Sequence, residues 1–120
     1  MPLPVLLVDD DEFARSFVRT VLERAGYEVR EAEGVTEALT SVRGASPHAV
    51  VTDWNLPDGN GGTLARSLHL QESNLPVILI TGESAGSQPM EESRGEFTAI
   101  LYKPFSPSVL EKAILAAVHR

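Results

Sequence analysis

The chain contains no cysteine. A disulfide framework and thiolate metal ligation are both excluded, and cysteine usage says nothing about redox compartment. Basic residues are also scarce: ten Lys and Arg face seventeen Asp and Glu, for a formal net charge of −7. A surface with that balance repels a phosphate backbone, so direct nucleic-acid binding is not expected. Long apolar runs are missing. Val5-Leu6-Leu7-Val8 stops at Asp9-Asp10-Asp11, and Ile114-Leu115-Ala116-Ala117-Val118 falls far short of the roughly 20 residues that span a bilayer. The opening Met1-Pro2-Leu3-Pro4 carries no basic segment, so neither a signal peptide nor a membrane anchor is expected. These absences lead to the expectation of a soluble, cytoplasmic protein with no membrane partner.

What is present suits one globular domain over residues 1–120, with 42% hydrophobic and 22% charged residues. Four short apolar runs stand out: Val5–Val8, Ala49–Val51, Val77–Ile80 and Ala99–Tyr102. Each is continuous rather than alternating, the pattern of parallel strands covered on both faces. Tyr27–Ala32 is more polar and alternates, which predicts an edge strand. Helix-sized segments lie between the runs. Glu12–Ala25 carries Phe13, Phe17, Val18, Val21 and Leu22 as its expected inward stripe, with Gly26 as a stop signal. Thr36–Val42 and Thr63–Glu72 supply two more helices. The last has Ser106 as N-cap, Pro107 at the first helical position, and Val109, Leu110, Ala113, Ile114 and Ala117 expected inward. The segment over residues 82–95 is rich in Gly and Ser, and only Ala85 and Met90 could face a core. Interior Gly and Pro cost about 1 and 3 kcal/mol relative to Ala, so the fourth helix is expected to be weak or disordered. The repeated βα pattern predicts an α/β fold: a doubly wound, five-stranded parallel sheet of order 2-1-3-4-5 with helices on both faces.

The polar residues fall where such a sheet binds ligands, beyond the carboxyl ends of its strands. Asp9 and Asp10 follow the first strand, Asp53 the third, Thr81 the fourth and Lys103 the fifth. Two carboxylates 4 Å apart repel by about 4 kcal/mol at an effective dielectric of 20, so three acids on one rim point to a cation. All-oxygen donors and few protein ligands suit Mg²⁺, which readily bridges to phosphate. An acid, a metal and a lysine around one pocket are the parts needed to move a phosphoryl group onto a carboxylate. Asp11 and Glu12 read more simply as acids at a helix N-terminus. Gly59-Asn60-Gly61-Gly62 reads as a turn into the third helix, because no Gly-x4-Gly-Lys pattern is present. His48, His69 and His119 read as surface residues, and Trp54 as packing at the rim.

Four segments then carry a resemblance that covers essentially the whole chain: Val8-Asp9-Asp10-Asp11, Asp53-Trp54-Asn55-Leu56-Pro57-Asp58-Gly59, Ile80-Thr81-Gly82 and Lys103-Pro104-Phe105. Successive key residues are separated by 44, 28 and 22 positions. In this order the sequence resembles a response-regulator receiver domain of two-component signalling. The resemblance implies that Asp53 accepts a phosphoryl group from a sensor histidine kinase or histidine phosphotransfer protein. It implies a Mg²⁺ site made by Asp10 directly, Asp9 directly or through water, Asp53, and the Asn55 backbone carbonyl. Lys103 would pair with Asp53 and then with the phosphoryl group, Thr81 would donate its hydroxyl to a phosphoryl oxygen, and Lys103-Pro104 would be cis. Gly61 matches a family glycine position. The domain would catalyse only its own phosphorylation and dephosphorylation and switch a downstream partner. It could stand alone, shuttle phosphate, or form part of a longer regulator.

Two positions depart from the family pattern. Ile100 occupies the place of the usual switch aromatic, leaving Tyr102 as a possible substitute, and the fourth helix is degraded. A Gly-rich segment that orders on phosphorylation is the other candidate switch. Asn55 and Glu83 can orient an attacking water, and Gly82 offers no shield, which predicts a phosphorylated lifetime of minutes or less. Two other readings compete: a pseudo-receiver that binds partners without phosphorylation, and an aspartate-nucleophile phosphatase. The latter generally needs a second acid two residues after the nucleophile, where this chain has Asn55.

Overall fold

The computed structural model describes residues 2–82 and 88–119. Among them, five strands build one parallel sheet: β1 (Pro4–Val8), β2 (Glu28–Ala32), β3 (Ala49–Asp53), β4 (Val77–Thr81) and β5 (Ala99–Tyr102). The spatial order is β2-β1-β3-β4-β5, as the sequence pattern predicts. Helices α1 (Glu12–Arg24), α2 (Val35–Gly44), α3 (Gly61–Gln71), α4 (Gln88–Ser93) and α5 (Pro107–Val118) connect or follow the strands.

The continuous apolar runs have a direct cause. Leu6, Val8, Val50 and Val77 face one way, onto Ala38 and Val42 of α2 and Leu64, Ala65 and Leu68 of α3. Val5, Leu7, Val51, Ile78 and Ile80 face the other way, onto Val18, Val21 and Leu22 of α1 and Leu110, Ile114 and Ala117 of α5. With both faces covered, Val5–Val8, Ala49–Thr52 and Val77–Thr81 are buried without alternation, whereas the outer strands β2 and β5 stay partly exposed.

Register places the functional edge. Val8 lies opposite Thr52, and Asp53 lies opposite Ile80. Asp9, Asp53 and Thr81 therefore emerge on the same rim, and Thr81 opposite Tyr102 brings Lys103 there too.

Several helix details differ from the sequence expectation. Phe13 is almost fully exposed (90%), and the exposed Phe17 packs its ring against Phe105 instead of the sheet. At about 100° per residue, Phe13 lies roughly 140° around the helix from Val18, so the two cannot share one buried stripe. Val109 is likewise exposed, and α5 buries the narrower set Leu110, Ile114 and Ala117. α3 starts two residues earlier than expected. Asn60 is its N-cap, its side chain accepting from Thr63 N–H at 2.8 Å, and Gly61 and Gly62 form the first turn. Gly59 and Asn60 meanwhile pair with Asn55 and Leu56 as a two-residue hairpin.

α4 is the short helix that the Gly- and Ser-rich segment over residues 82–95 predicts, six residues followed by a 3₁₀ turn at Arg94–Glu96. Met90 is fully buried there, against Trp54 and Leu79. Trp54 thus lies under α4, deeper than a rim position. Ala85 and Glu83 lie outside the described residues.

Candidate functional site

The site starts from a turn. β1 ends at Val8, and Asp9 keeps contact with the sheet by donating its N–H to the Ala32 carbonyl at 3.0 Å. Its side chain folds back to accept the Asp11 N–H at 2.9 Å. Asp11 then caps α1 by accepting from Phe13 and Ala14 N–H, which is the helix-start role expected for it. Asp53, the last residue of β3, accepts the Trp54 N–H at 2.8 Å. Oxygens of Asp9, Asp10 and Asp53 all lie within 4.8 Å of one another. Lys103 Nζ stands 3.7 Å from Asp53 Oδ1, an ion pair longer than a hydrogen bond.

Electrostatics match the crowding. Burial pushes the Asp9 carboxyl above the ordinary range, the Asp11 N–H opposes this, and the neighbouring Asp53 charge adds to it. Burial also raises Asp53, opposed by the Lys103 charge and the Trp54 N–H and reinforced by Asp10. A buried acid and a half-buried one that both resist ionisation, beside a third that is exposed, form a pocket short of positive charge. One lysine offsets only part of three carboxylates. Hard oxygen donors in this arrangement fit a hydrated divalent ion such as Mg²⁺.

The remaining residues complete the rim. Thr81 is fully buried at the end of β4, and its carbonyl accepts the Lys103 N–H at 2.8 Å. Asn55 is exposed on the hairpin after Asp53. The Lys103-Pro104 bond is cis. Gly61 is required by closeness: a Cβ there would come within 2.9 Å of the Asp53 carbonyl and of Leu79. Ile100 is half-buried against the cluster of Trp54, Leu79 and Met90, whereas Tyr102 is partly exposed beside the Arg94 guanidinium.

A model of the response regulator receiver domain matches residues 5–115. The chain belongs to that family. The receiver domain is 31% identical over 116 residues to the chemotaxis protein CheY1 of Helicobacter pylori, covering 93% of this chain and 94% of that protein. It is 35% identical over 114 residues to the C4-dicarboxylate transport transcriptional regulatory protein DctD of Pseudomonas aeruginosa, covering 95% of this chain. The chain spans only 25% of that regulator's length. Among solved structures, a CheY-like receiver domain protein from Methanospirillum hungatei superposes with a TM-score of 0.91 at 26% identity, covering 98% of this chain and 94% of that one. Receiver domains of this kind belong to two-component response regulators, are signalling modules rather than classical enzymes, and bind Mg²⁺ at an acidic pocket.

Sequence reading missed three contacts, those of Asp58 and Arg15 at the carboxyl end of the sheet and that of His69 at its opposite end. Asp58 accepts the N–H groups of Val35 and Thr36 at 2.7 and 3.0 Å, capping α2 from the β3–α3 loop. Gly34 makes room for it, since a Cβ there would lie 2.6 Å from Asp58 Oδ1. His69 bridges two segments, with Nδ1 2.8 Å from Glu96 Oε1 and Nε2 2.8 Å from the Leu75 carbonyl. Arg15 reaches the Asp9 carbonyl at 2.8 Å. In sequence, Asp58 reads as a turn residue and Arg15 as a solvated helix charge, so neither partner is signalled.

Proposed function

We propose that this receiver domain accepts a phosphoryl group on Asp53 in a Mg²⁺-dependent phosphorelay and thereby switches the binding of a downstream protein. The observation that carries the reading is the three-acid cluster facing Lys103. Asp9, Asp10, Asp53 and the Asn55 carbonyl would hold the ion, which when bound neutralises phosphoryl oxygens and orients the group. An Asp53 carboxylate oxygen attacks the phosphorus of a phosphohistidine. The P–N bond breaks as the P–O bond forms, and the departing imidazole nitrogen takes a proton. Lys103, already paired with Asp53, follows the developing negative charge onto the phosphoryl oxygens. The Thr81 hydroxyl donates to one of those oxygens.

The phosphodonor is a histidine kinase or a histidine phosphotransfer protein. Asp9, Lys103, Pro104, Phe105, Phe17 and Ala14 line one groove, so an apolar wall runs directly from the acceptor pocket. Phe13 stands on the same helix with its ring in solvent. A donor protein that brings its phosphohistidine to Asp53 has this apolar face of α1 available to grip.

On the output side, the family's switch aromatic is replaced by Ile100. Tyr102 is held beside Arg94, which also pairs with Glu91 of α4 at 2.9 Å. Tyr102 and α4 are the elements we assign to the output face.

Trp54 provides the test, being adjacent to Asp53 and buried. Its emission should change with Mg²⁺ and change again with beryllofluoride, and Asp53→Asn should abolish the second response. A wild type that gives neither response indicates a pseudo-receiver and overturns the proposal.

A further inference from the structure

The turn bearing Asp9 and Asp10 is fastened from outside the acidic cluster. Arg15 lies in the first turns of α1 with a side chain only 18% exposed. A terminal guanidinium nitrogen donates to the Asp9 backbone carbonyl at 2.8 Å, and Nε donates to Glu31 Oε1 at 3.1 Å. Glu31 on β2 is itself fixed by Arg19, whose guanidinium lies 3.2 and 3.3 Å from its two oxygens. The Asp9 N–H is held by Ala32 on the same strand. Both backbone polar groups of Asp9 are therefore tied, one to β2 directly and the other to β2 through Arg15.

The carbonyl that Arg15 holds belongs to the peptide plane joining Asp9 to Asp10. Rotation of that plane would move the Asp10 Cα and swing its carboxylate relative to Asp9 and Asp53. We infer that Arg15 is a positioning residue for the divalent-cation pocket, acting through the Asp9 carbonyl and never touching the ion. The inference rests on the Mg²⁺ reading given above.

Charge and geometry predict opposite signs here, which makes the inference testable. A guanidinium near the pocket repels a cation, so loss of its charge alone would tighten Mg²⁺ binding. Loss of its hydrogen bond would loosen the turn and weaken binding, and outer-shell partners of metal ligands are typically worth about 10- to 100-fold in affinity. Lysine keeps the charge, but a single ammonium lacks the planar fork that spans Asp9 and Glu31.

The experiment is a Mg²⁺ titration followed by Trp54 emission on wild type, Arg15→Ala, Arg15→Lys and Arg30→Ala, with circular dichroism to verify folding. Arg30 is a matched control: it donates to Glu28 at 3.2 Å and to the Ala45 carbonyl at 3.0 Å, away from the β1–α1 turn. The Mg²⁺ Kd should rise about tenfold or more in Arg15→Ala, less in Arg15→Lys, and stay unchanged in Arg30→Ala. An unchanged or lowered Kd in Arg15→Ala overturns the inference. If that variant does not fold, Arg15→Lys decides, and a wild-type Kd in it is fatal. A responsive wild type with unaffected Arg15 variants removes this inference alone, whereas an unresponsive wild type removes the metal reading with it.

Discussion

Replacing Asp10 with Asn should stabilise the domain in Mg²⁺-free buffer, although it removes a residue from the functional site. The donor oxygens of Asp9, Asp10 and Asp53 lie within 4.8 Å of one another. At that separation two unit charges repel by about 3.5 kcal/mol at an effective dielectric of 20, and by about 0.9 kcal/mol in bulk water. Asp10 is exposed, so the lower figure governs its two pairs, giving about 1–2 kcal/mol at low salt. For a domain of this size that corresponds to a Tm increase of about 4–8 °C. Mg²⁺ should reverse the order. At a hundredfold above its Kd, the ion adds about 2.7 kcal/mol to a protein that binds it only when folded, and the Asn variant forfeits most of that gain. Thermal melts by circular dichroism, in EDTA and then in excess Mg²⁺, measure both. An Asp10→Asn protein that melts below wild type in EDTA would refute the reasoning, because the cluster would then contribute stability without its ion.

Three further expectations follow from the same structure. The elevated Asp53 pKa makes protonation favour the fold, a contribution complete below the unfolded value of about 3.9 and lost as pH rises through the folded pKa. In EDTA the Tm advantage of Asp53→Asn over wild type should therefore open on going from about pH 4 to 7, and an advantage independent of pH would contradict the assignment. Asp58 has the opposite sign: the N–H groups of Thr36 and Val35 hold its pKa below the usual range, so its stabilisation is lost as pH falls through the folded value. Asp58→Ala should lower Tm at neutral pH and approach wild type in acid; equal melting at pH 7 would show the cap to be inert. Phe13→Ala should slow phosphotransfer from a phosphohistidine donor protein by about fivefold or more, the scale of an interface anchor worth over 1 kcal/mol. Acetyl phosphate should react with it as with wild type, and equal slowing of both donors would argue against a docking role.

The parts of this molecule that are legible in its sequence are those governed by burial along the chain. β1, β3 and β4 are apolar as far as Val8, Val51 and Ile80 because helices cover both faces, and Asp9, Asp53, Thr81 and Lys103 mark the carboxyl ends of their strands. The shortness of α4 is also legible, since the glycines flanking it and Pro89 leave few residues to bury, and Met90, one of the two apolar candidates, is buried. Apolar spacing could not separate a buried side chain from one left for a partner. Phe13 and Val109 continue their helical stripes in sequence but fall outside the width that the sheet covers. Contacts between distant segments were the least accessible. Asp58 caps a helix that begins 23 residues earlier, and Arg15 secures a carbonyl whose identity no spacing rule encodes. The burial of Trp54 depends on Met90 arriving from α4, a tertiary event that its position beside Asp53 does not announce.

The most direct test is intact-mass spectrometry of the purified domain after incubation with a phosphohistidine donor and Mg²⁺, with fragmentation to locate any added group. The account predicts a gain of one phosphoryl group, placed on Asp53, absent in Asp53→Asn and suppressed by EDTA. An unmodified mass with a donor shown to be competent on another receiver, or a phosphoryl group found at any other residue, would contradict it.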